Sequence, residues 1–181
     1  ADWSDIKLEA EKIGVTQFLP KPVLPSTLYN KIVELTTNTL VTENRDIRPG
    51  EIDWKDKKIL LVEDIEINRE IILEILNNTG IKVECAENGK EAVDFFINSE
   101  SNYDLILMDI QMPLLDGFGA TKSIRKSGKN NAKNIPILAM TANAFKEDVD
   151  KCLEAGMNDH IAKPIDVNIL IDKLSHYLVK Q

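Results

Sequence analysis

Several features that would assign a function directly are missing from this sequence of 181 residues. Its only cysteines, Cys85 and Cys152, fit no disulfide or metal-binding spacing, so we expect a reduced, cytoplasmic setting. No apolar run approaches the roughly 18 residues that a membrane span needs. The opening residues, ADWSDIKLEAEK, lack the basic and apolar regions of a signal peptide. We therefore expect no membrane segment in this part of the chain.

Positive charge is also scarce. Lysine and arginine number 22 against 30 aspartate and glutamate residues, which gives a formal net charge of −8. A surface that binds nucleic acid usually carries a basic patch, so we expect no nucleic-acid partner. The sequence contains no GxxxxGK[ST] motif, which leaves nucleotide binding by a P-loop unsupported.

The sequence does contain an internal repeat. FLPKPVLPSTL at 18–28 and HIAKPIDVNIL at 160–170 share Lys-Pro at a constant offset of 142 positions. Residues 1–41 therefore resemble the end of the chain, and we expect them to pack on the rest of the chain or on a second copy. Residues 42–56 are polar, contain Pro49-Gly50 and are interpreted as a linker, with Trp54 as a packing anchor.

Residues 57–181 alternate strand and helix patterns. Five apolar segments predict strands: KILLVE (58–63), IKVECA (81–86), DLILMD (104–109), IPILAMT (135–141) and DHIA (159–162). Helices are predicted between them, the first with an apolar stripe of Ile67, Ile71 and Ile75 together with Leu73 and Leu76, and an end at Gly80. Strands that are apolar on both faces indicate a parallel sheet covered by helices on each side, a doubly wound α/β fold.

Polar residues follow four of these strands, where ligands of such folds bind. They are Glu63-Asp64, Asp109, Thr141 and Lys163. Singly, Asp64 and Thr141 could cap helices and Lys163 could be a solvated surface residue. Together they predict a site, because three neighbouring carboxylates repel one another and Mg²⁺ would relieve that repulsion. The Asp109 carboxylate could then attack a phosphoryl group, with Lys163 neutralising charge and Thr141 donating a hydrogen bond.

Four segments resemble the receiver domain of two-component signalling, the CheY-like fold. They are LLVEDIEINRE (60–70), LILMDIQMPLLDG (105–117), IPILAMTANA (135–144) and HIAKPI (160–165). The resemblance covers about residues 57–180 and implies a sheet of strand order 2-1-3-4-5. Residues 1–41 resemble the helix–strand–helix end of another receiver. Tandem receivers with these sequence motifs are typical of hybrid sensor histidine kinases.

The resemblance also implies roles. Asp109 would be the phosphoacceptor, and Glu63, Asp64 and the backbone carbonyl of Gln111 would join it in binding Mg²⁺ or Mn²⁺, with Asp64 the more direct ligand of the acidic pair. Thr141 and Lys163 would sense the phosphoryl group.

Further positions have roles implied by the resemblance. His160 stands where the family often has a rotating aromatic residue, and Gln111 and Asn143 stand where residues tune dephosphorylation. Met112-Pro113 and Asp116-Gly117 are expected to shape the loop after Asp109, with glycine permitting positive φ.

The phosphoryl donor is expected to be separate from this chain, because neither His160 nor His176 lies in a histidine phosphoacceptor pattern. The expected partners are a histidine kinase domain or a histidine phosphotransfer protein. A homodimer through residues 1–41, or through the face of the fourth helix, fifth strand and fifth helix, is a further expectation. The domain would promote its own phosphorylation and dephosphorylation but has no kinase catalytic domain.

Two alternatives stay open at this point. A phosphatase of the haloacid dehalogenase type also uses an aspartate nucleophile and Mg²⁺, but its nucleophile follows the first strand in a DxD pattern, where this chain has EDIE. A degenerate receiver that only binds other proteins is the second alternative. The presence of Glu63, Asp64, Asp109, Thr141 and Lys163 argues against it.

Overall fold

The computed structural model describes residues 52–100, 102–142 and 146–179. The predicted repeat at 1–41, most of the linker and Asn143 lie outside these ranges. Within them, no helix is both long and apolar enough to cross a membrane.

Strands and helices alternate through the described residues. The strands are β1 (Lys58–Val62), β2 (Lys82–Ala86), β3 (Leu105–Asp109), β4 (Ile137–Thr141) and β5 (Asp159–Ala162). The helices are α1 (Glu66–Leu76), α2 (Gly89–Asn98), α3 (Gly117–Lys126), α4 (Lys146–Ala155) and α5 (Val167–Val179), with a short 3₁₀ helix at Asn77–Thr79. All five predicted strands are present, each within two residues of its predicted bounds.

The strands form one parallel sheet in the order β2-β1-β3-β4-β5, which confirms the predicted fold. In the register of the sheet, Asp109 lies opposite Met140, and Thr141 lies opposite Ala162. The carboxyl ends of β3, β4 and β5 are therefore level, so that residues ending or following these strands meet at one edge.

Two apolar cores cover the two faces of the sheet, because alternate residues of each buried strand point to opposite sides. In β1, Leu60 and Val62 belong to the core beneath α2, α3 and α4, whereas Ile59 and Leu61 belong to the core beneath α1 and α5. Trp54 belongs to the second core, is 5% exposed, and its backbone N–H donates to the Thr79 carbonyl. The interpretation of Trp54 as a packing anchor is confirmed.

The apolar stripe predicted for α1 is wrong in part. The structure buries Leu76 as expected, adds Ile72 to the buried side, and leaves Ile67 59% and Ile71 48% exposed. Apolar residues occur around much of this helix, so periodicity alone could not show which side faces the sheet. The helix keeps an exposed apolar stripe, since Ile67 and Ile71 are four residues apart and share a face.

The loop between β3 and α3 also differs from expectation. Its positive φ angle, 66°, is at Leu114 and not at Gly117. Gly117 is required for another reason: a Cβ atom there would collide with the carbonyl oxygen of Asp109. Its backbone N–H donates to the Ile110 carbonyl, so the start of α3 lies directly against the end of β3.

Candidate functional site

Three carboxylates meet at the carboxyl edge of the sheet. Glu63 and Asp64 follow β1, and Asp109 is the last residue of β3. One oxygen from each carboxylate lies within 4.8 Å of the others. The sheet brings these residues together because β1 and β3 are direct neighbours. Glu63 is fully buried and Asp109 is 4% exposed, so water screens their charges poorly.

Lys163 supplies the positive charge at this edge. Its Nζ atom lies 2.6 Å from Oε2 of Glu63 and 2.7 Å from Oδ2 of Asp109. The backbone N–H of Lys163 donates to the Thr141 carbonyl at 2.8 Å, which holds the residue at the end of β4. The peptide bond between Lys163 and Pro164 is cis. The prediction that the ends of β1, β3, β4 and β5 converge is therefore correct.

The two acidic residues after β1 have different surroundings. Both carboxylate oxygens of Glu63 have partners, since Oε1 accepts a 2.8 Å hydrogen bond from Nδ2 of Asn68 and Oε2 accepts from Lys163. Oδ1 of Asp64 is buried and has no hydrogen-bond partner among the described residues. A buried carboxylate oxygen without a donor is costly unless another group satisfies it.

The arrangement fits a hard divalent cation. Within the part of the chain that the structure describes, Oδ1 of Asp64 has no donor and could bind one, and Oδ1 of Asp109 accepts a long hydrogen bond, 3.3 Å, from the backbone N–H of Gln111. Mg²⁺ prefers carboxylate and carbonyl oxygens and keeps several waters. Asp64 and Asp109 are therefore suited to bind it directly, whereas Glu63 is already engaged by Asn68 and Lys163.

Burial raises the pKa of Asp109 above its ordinary value, and the nearby charge of Glu63 adds to this effect although Lys163 acts against it. Burial opposes the charge on Lys163, but the hydrogen bonds and charges of Asp109 and Glu63 outweigh burial and raise its pKa. The pKa values of both partners rise for different reasons. Burial disfavours the charged form of Asp109, whereas two carboxylates favour the charged form of Lys163.

The other predicted positions are placed as follows. Thr141 ends β4 and is 8% exposed, while Gln111 is exposed just after β3. His160 lies within β5, opposite Ala139, where burial and the charge of Lys173 lower the pKa of its imidazole.

Two residues of α1 that support the acidic pair were not predicted. Asn68 donates to the Glu63 side chain, and Nη1 of Arg69 donates to the carbonyl oxygens of Glu63 and Asp64. Nη2 of Arg69 also donates to Glu87, which follows β2. The signal was the adjacent Asn-Arg pair in EDIEINRE, one helical turn beyond the acidic residues, where side chains of α1 can reach back to the loop.

A parallel sheet of order 2-1-3-4-5 with an acidic cluster and a lysine at its carboxyl edge defines a doubly wound α/β domain with a ligand site at that edge. Residues 59–175 match the family model of the response regulator receiver domain, and the chain belongs to this family. Hybrid signal transduction histidine kinase I of Dictyostelium discoideum is 40% identical over 171 residues. That alignment covers 93% of this chain but only 10% of the kinase.

Solved receiver domains have the same fold. The receiver domain of the sensor histidine kinase PA1611 from Pseudomonas aeruginosa, which has magnesium coordinated in its active site cleft, is 40% identical with a TM-score of 0.62. The alignment covers 68% of this chain and 98% of the PA1611 receiver domain. The chain is also similar to a co-crystal structure of the histidine phosphotransfer protein Ypd1 and the receiver domain of Ssk1 from Saccharomyces cerevisiae, at 34% identity and a TM-score of 0.62. The alignment covers 68% of this chain and 89% of the matched chain. The chain thus contains a receiver domain of two-component signalling.

The raised pKa of Asp109 predicts a stability effect in the absence of metal. Above that pKa, ionised Asp109 is less favourable in the folded state than in the unfolded chain, and protonation at lower pH removes this cost. We expect Asp109→Asn to increase the free energy of unfolding at neutral pH in EDTA, measured by urea denaturation. The gain should shrink as the pH falls through the folded-state pKa of Asp109.

Asp94→Asn is the matched control, because Asp94 is an exposed carboxylate on α2. It should change the free energy of unfolding by less than about 0.5 kcal/mol. A lower stability of Asp109→Asn at neutral pH would contradict the assigned electrostatics.

Proposed function

We propose that this domain accepts a phosphoryl group on Asp109 from a phosphohistidine in a phosphorelay. The observation that carries the proposal is the placement of the nearly buried Asp109 carboxylate 2.7 Å from the Lys163 ammonium, next to the unpartnered Oδ1 of Asp64. A carboxylate in this position can act as a nucleophile while neighbouring groups neutralise phosphoryl charge. The imidazole nitrogen–phosphorus bond breaks as an Asp109 oxygen–phosphorus bond forms, and the imidazole, protonated on its other ring nitrogen, leaves as neutral histidine.

Lys163 has two roles in this scheme. It now neutralises Asp109 and Glu63, and its ammonium is placed to contact an oxygen of the incoming phosphoryl group. Glu63 keeps the ammonium at this edge when the charge of Asp109 is altered by phosphorylation. Asp64, Asp109 and the backbone carbonyl of Gln111 would hold Mg²⁺, or Mn²⁺, which when bound supplies further charge neutralisation.

The phosphoryl acceptance is tested with small donors and with a phosphohistidine protein. Wild-type protein should gain one phosphoryl group from acetyl phosphate when Mg²⁺ is present, and EDTA should abolish the gain, as read by intact-protein mass spectrometry. Asp109→Asn should show no gain, because it lacks the nucleophile. A histidine phosphotransfer protein loaded with phosphate should also donate to the wild type.

Binding without phosphorylation is the rival function. If wild-type protein binds such a partner but takes up no phosphoryl group in Mg²⁺, the domain acts only as an interaction module. Phosphorylation that persists in Asp109→Asn would place the acceptor elsewhere.

Phosphorylation is proposed to act on Thr141 and, through β5, on His160 and the face formed by α4, β5 and α5. Thr141 ends β4, and its carbonyl accepts a hydrogen bond from the backbone N–H of Lys163. This proximity supports the expectation that its hydroxyl donates to a phosphoryl oxygen. Two new charge-assisted hydrogen bonds of about 1.5–3 kcal/mol each approach the roughly 5.5 kcal/mol needed to reverse a 1:99 equilibrium. We therefore expect a partial shift. Tuning of phosphoryl lifetime by Gln111 and Asn143, and self-association through this face, stay predictions.

Thr141→Ala separates phosphorylation from its structural consequence. We expect Asp109 to be phosphorylated at close to the wild-type rate, because Thr141 is not the nucleophile. The chemical-shift changes in α4, β5 and α5 that accompany phosphorylation should shrink at least severalfold, as measured by nuclear magnetic resonance. Equal changes in Thr141→Ala and wild type would exclude the switch role, and Thr121→Ala, a buried threonine on α3, provides the control.

The exposed apolar stripe of α1 is proposed as the docking surface for the phosphohistidine partner. Ile71 lines a pocket of about 150 Å³ together with Lys163, Pro164 and Ile165, so the stripe is continuous with the site. A partner that delivers a phosphoryl group to Asp109 must contact the surface around it. Burial of exposed isoleucines would stabilise that contact by about 25 cal/mol per Å².

Ile71→Gln tests the docking surface. We expect phosphotransfer from the loaded phosphotransfer protein to slow about tenfold, while phosphorylation by acetyl phosphate stays near the wild-type rate. Ile97→Gln is the control, because Ile97 on α2 is 46% exposed and Ile71 is 48% exposed. Equal slowing by both variants, or slowing of the acetyl phosphate reaction as well, would argue against a docking role for α1.

A further inference from the structure

The placement of the Asp64 carboxylate is set by its backbone. No described residue donates a hydrogen bond to its Oδ1 atom that could hold the side chain in position. Its orientation therefore depends on the short loop between β1 and α1 that carries it. A metal ligand must be held within about 0.5 Å of a productive position to be effective.

Arg69 fixes that loop. Nη1 of its guanidinium donates to the carbonyl oxygen of Glu63 at 2.8 Å and to that of Asp64 at 3.1 Å. Nη2 donates to Oε1 of Glu87 at 3.0 Å, and the Arg69 side chain is only 13% exposed. The guanidinium thus ties the end of β1 to the residue that follows β2. The Glu63 N–H donates to the Ala86 carbonyl, which joins the same two strand ends.

The geometry suits arginine and not lysine. A guanidinium presents five N–H groups in a planar fork and can engage two carbonyl oxygens and a carboxylate at once. A lysine ammonium is a single point of charge and cannot reproduce this fork. The contacts go to main-chain oxygens, so their effect is to position the chain and not to pair with the site carboxylates.

We propose that Arg69 is a positioning residue for the metal ligand Asp64, and that it raises the affinity of the site for Mg²⁺. This inference rests on the proposed function, which assigns Mg²⁺ to Asp64 and Asp109. The positioning role and the charge of Arg69 predict opposite changes in Mg²⁺ affinity when Arg69 is replaced. Arg69 is a cation beside a cation site, so by charge alone its removal would strengthen Mg²⁺ binding. A positioning role requires that its removal weaken binding.

The experiment measures Mg²⁺ affinity by isothermal titration calorimetry with magnesium chloride, using the full chain. Changes to groups that orient metal ligands typically cost 10- to 100-fold in metal affinity. We expect Arg69→Lys, which keeps the charge, to weaken Mg²⁺ binding about tenfold. Arg69→Met should weaken it at least as much even though a positive charge is lost. Thermal unfolding followed by circular dichroism confirms that each variant is folded at the titration temperature.

Arg125→Lys is the matched control. Arg125 also anchors main-chain oxygens, donating to the carbonyls of Ala132, Ile135 and Gly156, but it does so at the opposite edge of the sheet. Arg125→Lys should lower the unfolding temperature without changing Mg²⁺ affinity. It therefore gives the effect of replacing an arginine that only supports the fold. If Arg69→Met does not fold, the comparison of Arg69→Lys with Arg125→Lys decides the question.

The outcomes are distinct. Unchanged affinity in Arg69→Lys, or tighter binding in Arg69→Met, would overturn the positioning role while leaving the proposed function intact. Equal weakening in Arg69→Lys and Arg125→Lys would reduce the effect to general stability and also overturn it. Failure of wild-type protein to bind Mg²⁺ would overturn the proposed metal site, and this inference with it.

Discussion

The sharing of one ammonium group by two buried carboxylates is the interaction on which the site depends. Lys163 lies within 2.7 Å of both Glu63 and Asp109, and without it these anions would face each other in surroundings that screen charge poorly. Asp64 adds a third carboxylate that Lys163 does not contact. The cluster therefore retains more negative than positive charge, and both a divalent cation and a change in the charge of Asp109 act directly on this balance.

The fold creates this concentration of charge at no cost to the apolar cores. Because the strands are parallel and their ends are level, polar residues that end or follow them lie outside the two packed layers. Close packing is still required at the site, as Gly117 shows, since any side chain there would collide with the backbone of Asp109. The backbone of Asp109 thus lies against the start of α3. Its carboxylate lies at the carboxyl edge of the sheet, where it contacts Lys163 and the residue is 4% exposed.

Much of this was predictable from the sequence, for identifiable reasons. The strands are short apolar runs bounded by polar residues, and residues at the ends of parallel strands must converge, which sufficed to select Asp109, Thr141 and Lys163. The inward side of α1 was not predictable, because apolar residues occur on more than one face and only packing against β1 selects between them. The positive φ of Leu114 was missed because a β3–α3 loop containing Pro113 and Gly117 offers more obvious candidates.

The supporting role of α1 was missed because neither the amide of Asn68 nor hydrogen bonds from Arg69 to main-chain oxygens leave a charge pattern in the sequence. Periodicity cannot show whether a polar residue near an acidic pair is solvated or hydrogen-bonded to the loop that carries the pair. Asn68 and Arg69 are hydrogen-bonded to Glu63 in that loop. The hydrogen-bond partners of Glu63 and Asp64 indicate different roles for the two acidic residues. Glu63 has every oxygen satisfied and can only hold Lys163, whereas Asp64 keeps a buried oxygen without a donor. Such an oxygen is costly unless a ligand completes it, and a metal ligand is effective only where the backbone carrying it is held in place. The satisfied contacts of α1 and the unsatisfied oxygen of Asp64 are therefore complementary parts of one site.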